Sequence, residues 1–151
     1  MDIILIAAIT ADGYIARHSN EVVSWSQDLH LFRKQTMGYP IIMGSRTMKT
    51  LAMDLDGRET TVIHRHSNTE KVLDKLDGDK CFVIGGGRTF TRFASYLTHI
   101  YLTIHPLIFG KGVPLFPNLD KELDLIFLKM LSVDGVEGLY QFQYKINRPR
   151  L

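Results

Sequence analysis

Short apolar runs near residues 3–9, 40–43, 60–63, 80–84 and 99–104 alternate with segments near 27–37, 46–53, 69–76 and 87–97 that have helical spacing. Strands and helices therefore take turns along the chain. Runs that are apolar at every position, such as Pro40-Ile41-Ile42-Met43 and Phe82-Val83-Ile84, suit strands covered on both faces of a largely parallel sheet. The pattern predicts an α/β layered fold with helices on both faces. After Tyr101 it changes: residues 123–128 and 138–144 look like two strands joined around Asp134-Gly135. The second alternates with period two, as an antiparallel strand at a sheet edge would. With 151 residues, 45% of them hydrophobic, the chain can bury one substantial core but not two, so residues 1–151 read as a single domain.

Eighteen basic and sixteen acidic side chains leave a net charge of +2, and no basic run is long enough to track a nucleic-acid backbone. Small ligands are the expected partners, not nucleic acid. The opening residues 1–9 are apolar but carry Asp2, lack a basic leader and are too short to span a bilayer, so they read as a buried strand. A single cysteine, Cys81, sits inside an apolar run and reads as a packed thiol. A cytoplasmic location is the matching expectation, with no membrane partner.

In open α/β sheets ligands gather beyond the carboxyl ends of the strands, and several such places here carry unusual chemistry. Cys81-Phe82-Val83-Ile84 runs into Gly85-Gly86-Gly87-Arg88, where a helix begins. Bare backbone N–H groups and the positive end of a helix dipole suit a phosphate there, while a tight turn would explain the glycines equally well. Phe90 stands where the dinucleotide fingerprint G-x-G-x-x-G needs its third glycine. Met43-Gly44-Ser45-Arg46-Thr47 repeats the strand, glycine and helix-start theme, with Ser45 or Thr47 as a cap or a phosphate donor. A third junction, His64-Arg65-His66, offers Arg65 to a phosphate monoester; no nearby carboxylate or cysteine supports a metal site.

Asp28 opens the segment 28–34 and shares a helical face with Phe32. Two readings stand. Ser24-x-x-Gln27 resembles a capping box, and an acid in a first turn favours the helix dipole. Alternatively, a carboxylate beside Phe32, Leu29 and Ile6 would bind a flat, nitrogen-rich heterocycle through paired hydrogen bonds and assist its protonation. Arg58, after the turn at Gly57, is either a solvated arginine or a clamp for a substrate carboxylate. Trp25 either lines a pocket mouth or staples the segment ahead of the helix.

In this order, residues 28–36, 40–51, 55–58, 83–88 and 100–103 resemble the dihydrofolate reductase family over nearly the whole chain. The resemblance implies that family's three-layer fold and an NADPH-dependent reduction of dihydrofolate. Asp28 would match the family's pocket carboxylate, gripping the pterin and promoting protonation of N5, with Thr103 assisting through its hydroxyl. Ile6 and Ile84 would border the ring, Phe32 and Leu51 would line the aminobenzoyl path, and Arg58 would match the arginine on the glutamate carboxylate. On the cofactor side, Ala8 and Ile15 would meet the nicotinamide. Gly86, Gly87, Arg88 and Thr89 would hold the pyrophosphate, flanked by Gly44, Ser45, Arg46 and Thr47, with His64 and Arg65 at the 2′-phosphate.

Residues 12–16 and 105–116 instead look like the related reductase domain of riboflavin biosynthesis, which reduces a ribosylaminopyrimidine phosphate with the same cofactor. The loop ahead of the helix also looks shortened, since only two residues separate Trp25 from Asp28. Dihydrofolate is the leading substrate because Asp28 and Arg58 occur together. The alternatives are the pyrimidine and a noncatalytic nucleotide-binding relative. A monomer or a homodimer is compatible with the pattern.

Overall fold

The computed structural model describes residues 1–51 and 55–149. Strands β1 (Asp2–Thr10), β3 (Ile41–Gly44), β4 (Thr60–Ile63), β5 (Lys80–Gly85) and β6 (His99–His105) pair in parallel, in the order β4-β3-β5-β1-β6. Strands β8 (Asp124–Ser132) and β9 (Tyr140–Asn147) extend the sheet to seven, with β9 antiparallel to both β6 and β8. The helices are α1 (Leu29–Thr36), α2 (Ser45–Thr50), α3 (Thr69–Asp74) and α4 (Gly87–Phe93), the last running into a 3-10 turn at Ala94–Tyr96. A two-stranded ribbon of β2 (Tyr14–Ala16) and β7 (Val113–Pro114) stands apart.

Period-two alternation sends neighbouring side chains to opposite faces, and here both faces are covered. Leu5, Ile42, Cys81, Val83 and Ile100 pack with Phe90, Phe93 and Leu97 at α4 and with Val72 and Leu73 of α3. On the other face Ile4, Ile6 and Phe82 meet Phe32 of α1 and Tyr39. That is why these strands read as continuously apolar. Cys81 is fully buried, and burial pushes its thiol up to about 11, in keeping with a packed residue.

Some expectations need correction. The period-two strand is not the edge: β9 lies between β6 and β8, and β8 is outermost. Two of its polar residues face inward, Gln141 and Gln143, only 1% and 5% exposed, while Lys145 and Asn147 are exposed. The physical reason is an amide ladder: Gln35 and Gln141 exchange hydrogen bonds of 2.7 and 2.9 Å, and Gln143 donates to Gln141 at 3.0 Å. The β8–β9 turn does contain Asp134-Gly135, with Gly135 at φ +79°. The β2–β7 ribbon was not anticipated as strands. The second helix closes at Thr50, and residues 52 and 53 of its expected span lie outside the described residues. No helix among the described residues is long and apolar enough to cross a membrane.

Candidate functional site

Beyond the carboxyl ends of β1, β3, β4 and β5 lies a cavity of about 900 Å³. That is near the top of the ~300–1,000 Å³ range of small-molecule sites. Asp28, Ile6, Phe32, Leu51 and Ile84 line one part of it. Ala8 and Ile15 line it as well, as do Gly44 to Thr47, His64 and Arg65, and Gly86 to Thr89. Thus the residues that the family resemblance assigns to substrate and cofactor surround one space, with two exceptions: Thr103 and Arg58 are not in its lining.

Asp28 does not serve its helix. It occupies the N-cap position of α1 with φ −112° and ψ 15°, and its side chain makes no capping bond. Ser24 and Gln27 form no capping box either, because Gln27 directs its backbone N–H to Nε2 of His105 at 2.9 Å. Asp28 as a whole residue is 6% exposed, its side chain has no hydrogen bond or ion pair among the described residues, and it lines the cavity. A carboxylate that reaches only the cavity takes its donors from whatever occupies that space.

Thr103 lies on β6 in register with Ala8 of β1, so both side chains leave the same face of the sheet. It is fully buried, and its Oγ1 has no hydrogen-bond partner among the described residues. Arg58 is 9% exposed and tied to the far end of α1, where Nη1 donates to Thr36 Oγ1 at 3.2 Å and Nε to Leu55 O at 3.3 Å. Thr36 Oγ1 in turn donates to the Phe32 carbonyl at 2.8 Å. The guanidinium is thereby linked to the helical turn that carries Phe32.

At the opposite part of the cavity the glycines have distinct tasks. A Cβ on Gly44 would stand 2.7 Å from Thr89 Oγ1, and one on Gly87 would stand 2.9 Å from Pro117 Cδ and 3.1 Å from Pro114 O. Gly85 takes φ +142°, a conformation that L side chains rarely adopt, and the Gly85–Gly86 peptide bond is cis. The Gly44–Thr89 approach sets the first turns of α2 and α4 beside one another, the Gly87 approach seats α4 against Pro114 and Pro117, and the leading N–H groups of each turn have no partner within the helix. Turn geometry and a cluster of helix-start N–H groups therefore coexist.

Other lining residues escaped the sequence reading. Arg92 donates from Nη1 to His64 O at 2.9 Å and from Nη2 to Ser67 O, fastening the β4–α3 loop that presents His64 and Arg65. Its helical spacing from Arg88 was the available signal. His18, Ser19, Glu21, Val23 and Ser26 come from the irregular segment 17–28 after β2, which no periodicity marks. Burial raises the Glu21 carboxyl, but bonds from Arg17 and Trp25 outweigh it and hold the group below its ordinary value. Trp25 is not among the lining residues and packs edge-on against His105 and Phe109, at 5.2 and 5.3 Å. No cluster of metal ligands occurs among the described residues.

The model of the family described as dihydrofolate reductase matches residues 2–135. The dihydrofolate reductase of Bacillus subtilis is 30% identical over 130 residues, covering 78% of this chain and 76% of that protein. Among solved structures, the dihydrofolate reductase from Enterococcus faecalis complexed with NADP(H) superposes with a TM-score of 0.77 at 20% identity, covering 97% of each chain. A protein from Shewanella sp. PV-4 assigned to riboflavin biosynthesis superposes with a TM-score of 0.68 at 21% identity, covering 98% of this chain and 100% of the other. The double likeness expected from the sequence is present in the fold. Since the family model spans most of the chain and the same ordered residues surround the cavity, the chain belongs to the dihydrofolate reductase family.

Proposed function

We propose that this chain reduces 7,8-dihydrofolate to tetrahydrofolate with NADPH, a hydride passing to the pterin and a proton to its N5. One observation carries the reading: Asp28, a largely covered residue whose carboxylate has no partner among the described residues, borders the cavity together with Phe32, Ile6 and Ile84. A flat heterocycle with adjacent N–H donors would satisfy both carboxylate oxygens in the paired manner that such geometry favours. The negative charge then raises the proton affinity of the bound ring, while the apolar neighbours keep the field unscreened. Thr103 would complete the polar contacts through Oγ1. Arg58, at the other end of α1, would meet the glutamate carboxylate, with Leu51 and Phe32 along the path between.

The cavity fits the cofactor by two tests. Gly44 leaves no room for a Cβ where the first turns of α2 and α4 converge, so backbone N–H groups of both turns stand close together, as a backbone phosphate cradle requires. The donors there are cationic, since Arg46, Arg65 and Arg88 line the same part of the cavity. Gly86 to Thr89 and Gly44 to Thr47 would hold the pyrophosphate, His64 and Arg65 the 2′-phosphate, and Ala8 and Ile15 the nicotinamide. When bound, NADPH supplies the hydride. The lone buried thiol is compatible with a cytoplasmic setting.

The full-length likeness to the Shewanella protein keeps one other substrate in view, a ribosylaminopyrimidine phosphate. The deciding experiment follows NADPH absorbance with purified protein and each substrate in turn. Consumption with dihydrofolate supports the proposal, and consumption with the pyrimidine alone replaces it. Asp28→Asn is expected to retain NADPH binding and to lower dihydrofolate turnover at neutral pH by about 100-fold, the scale of general acid–base assistance. Unchanged turnover would remove Asp28 from the mechanism.

A further inference from the structure

We infer that His105 is a positioning residue for Asp28, fixing the carboxylate from outside the cavity; this rests on the reading of Asp28 just given. His105 is the last residue of β6 and is 1% exposed. Both ring nitrogens are engaged by backbone. The Gln27 N–H points at Nε2 at 2.9 Å, so Nε2 carries the lone pair and the proton sits on Nδ1, which donates to the Thr103 carbonyl at 3.1 Å. One neutral imidazole therefore joins the residue preceding the carboxylate to the residue bearing the unpartnered hydroxyl.

The reason this matters lies in what Asp28 lacks. Its side chain makes no bond among the described residues, so its place is set by the backbone on either side. On the helical side, Phe32 N–H donates to the Asp28 carbonyl at 2.9 Å. On the other side, segment 17–28 contains no helix or strand, and the Gln27 N–H bond to His105 fastens it to the sheet. Trp25 meets the imidazole edge-on at 88° and so fixes its plane. The charges around this cluster are already engaged: Glu21 accepts from Trp25 Nε1 at 3.4 Å and pairs with Arg17, whose guanidinium lies over Phe109 at 4.4 Å.

The test compares His105→Phe, which keeps a ring against Trp25 but loses both bonds, with His105→Gln, whose Oε1 can accept from Gln27. Dihydrofolate turnover in His105→Phe is expected to fall on the order of tenfold through misplacement of the carboxylate, with NADPH affinity unchanged and His105→Gln recovering most of the loss. In an Asp28→Asn background the same His105→Phe change should cost less than about twofold, because the group it positions is gone. An equal loss in both backgrounds overturns the inference while leaving the function intact. A wild-type protein inactive on dihydrofolate, or an Asp28→Asn variant as fast as wild type, sinks the function and the inference with it. Nitrogen NMR of the unmutated protein gives a reading free of turnover: the expected tautomer is protonated at Nδ1, and protonation at Nε2 overturns the inference by itself. Loss of amide-exchange protection at Gln27 in His105→Phe, with α4 unaffected, supports it, and unchanged protection refutes it.

Discussion

Thr103→Val separates what the buried hydroxyl costs the fold from what it gives the ligand. Thr103 is fully buried and its Oγ1 has no partner among the described residues. Leaving a hydroxyl unpaired in the interior costs about 1–3 kcal/mol, and valine replaces that oxygen with a methyl group of nearly equal volume, so no cavity opens. The variant should therefore be more stable than the wild type by about 1–2 kcal/mol, or roughly 3–6 °C in Tm for a chain of this size. Dihydrofolate offsets much of that gain. Loss of one hydrogen bond of about 0.5–1.5 kcal/mol weakens its binding about two- to thirteenfold, and saturating ligand then stabilises the variant less by the same amount. Thermal melts with and without dihydrofolate, at fixed NADPH, read both effects together. A lower Tm without dihydrofolate would show the hydroxyl to be satisfied within the protein. Equal dihydrofolate affinity would show that it does not face the substrate.

Two further predictions concern the frame of the site. Gly44→Ala places a Cβ 2.7 Å from Oγ1 of Thr89, itself only 5% exposed, and should lose about 1–3 kcal/mol in urea melts together with NADPH affinity; wild-type values for both would mean that Thr89 yields freely. The Asp12 carboxyl is held below its ordinary value of 3.8 by the Thr10 hydroxyl first, and by Gly110 and Phe109 N–H groups against desolvation. A depressed value in the folded state contributes stability above the unfolded pKa and loses it as pH falls through the folded one, so Asp12→Asn should lower Tm at pH 7 and the gap should close under acid. A gap independent of pH would refute that assignment.

The parallel sheet was legible because strands buried on both faces are apolar at every position, as Ile41-Ile42-Met43 and Phe82-Val83-Ile84 are. The cavity was legible because its glycines and charged residues stand immediately after those strands. What stayed hidden depends on partners remote in sequence. Gln27 and His105 are 78 positions apart, and neither periodicity nor motif connects them. The inward turn of Gln141 and Gln143 contradicts simple hydrophobic patterning, and only Gln35 on α1 explains it. A two-residue strand such as β7 is too short for any alternation to register.

The amide exchange between Gln35 and Gln141 also has a consequence in time, since 106 positions separate its two ends. During synthesis α1 emerges before β9, the strand that secures it to the sheet and that follows every other described element. Contacts that close so long a loop form late and slow folding. The nascent chain would hold Asp28 on a helix still waiting for its final anchor, so binding competence should arrive only after β9 has left the ribosome. A ligand captured by ribosome-bound chains lacking β9 would contradict that order of assembly.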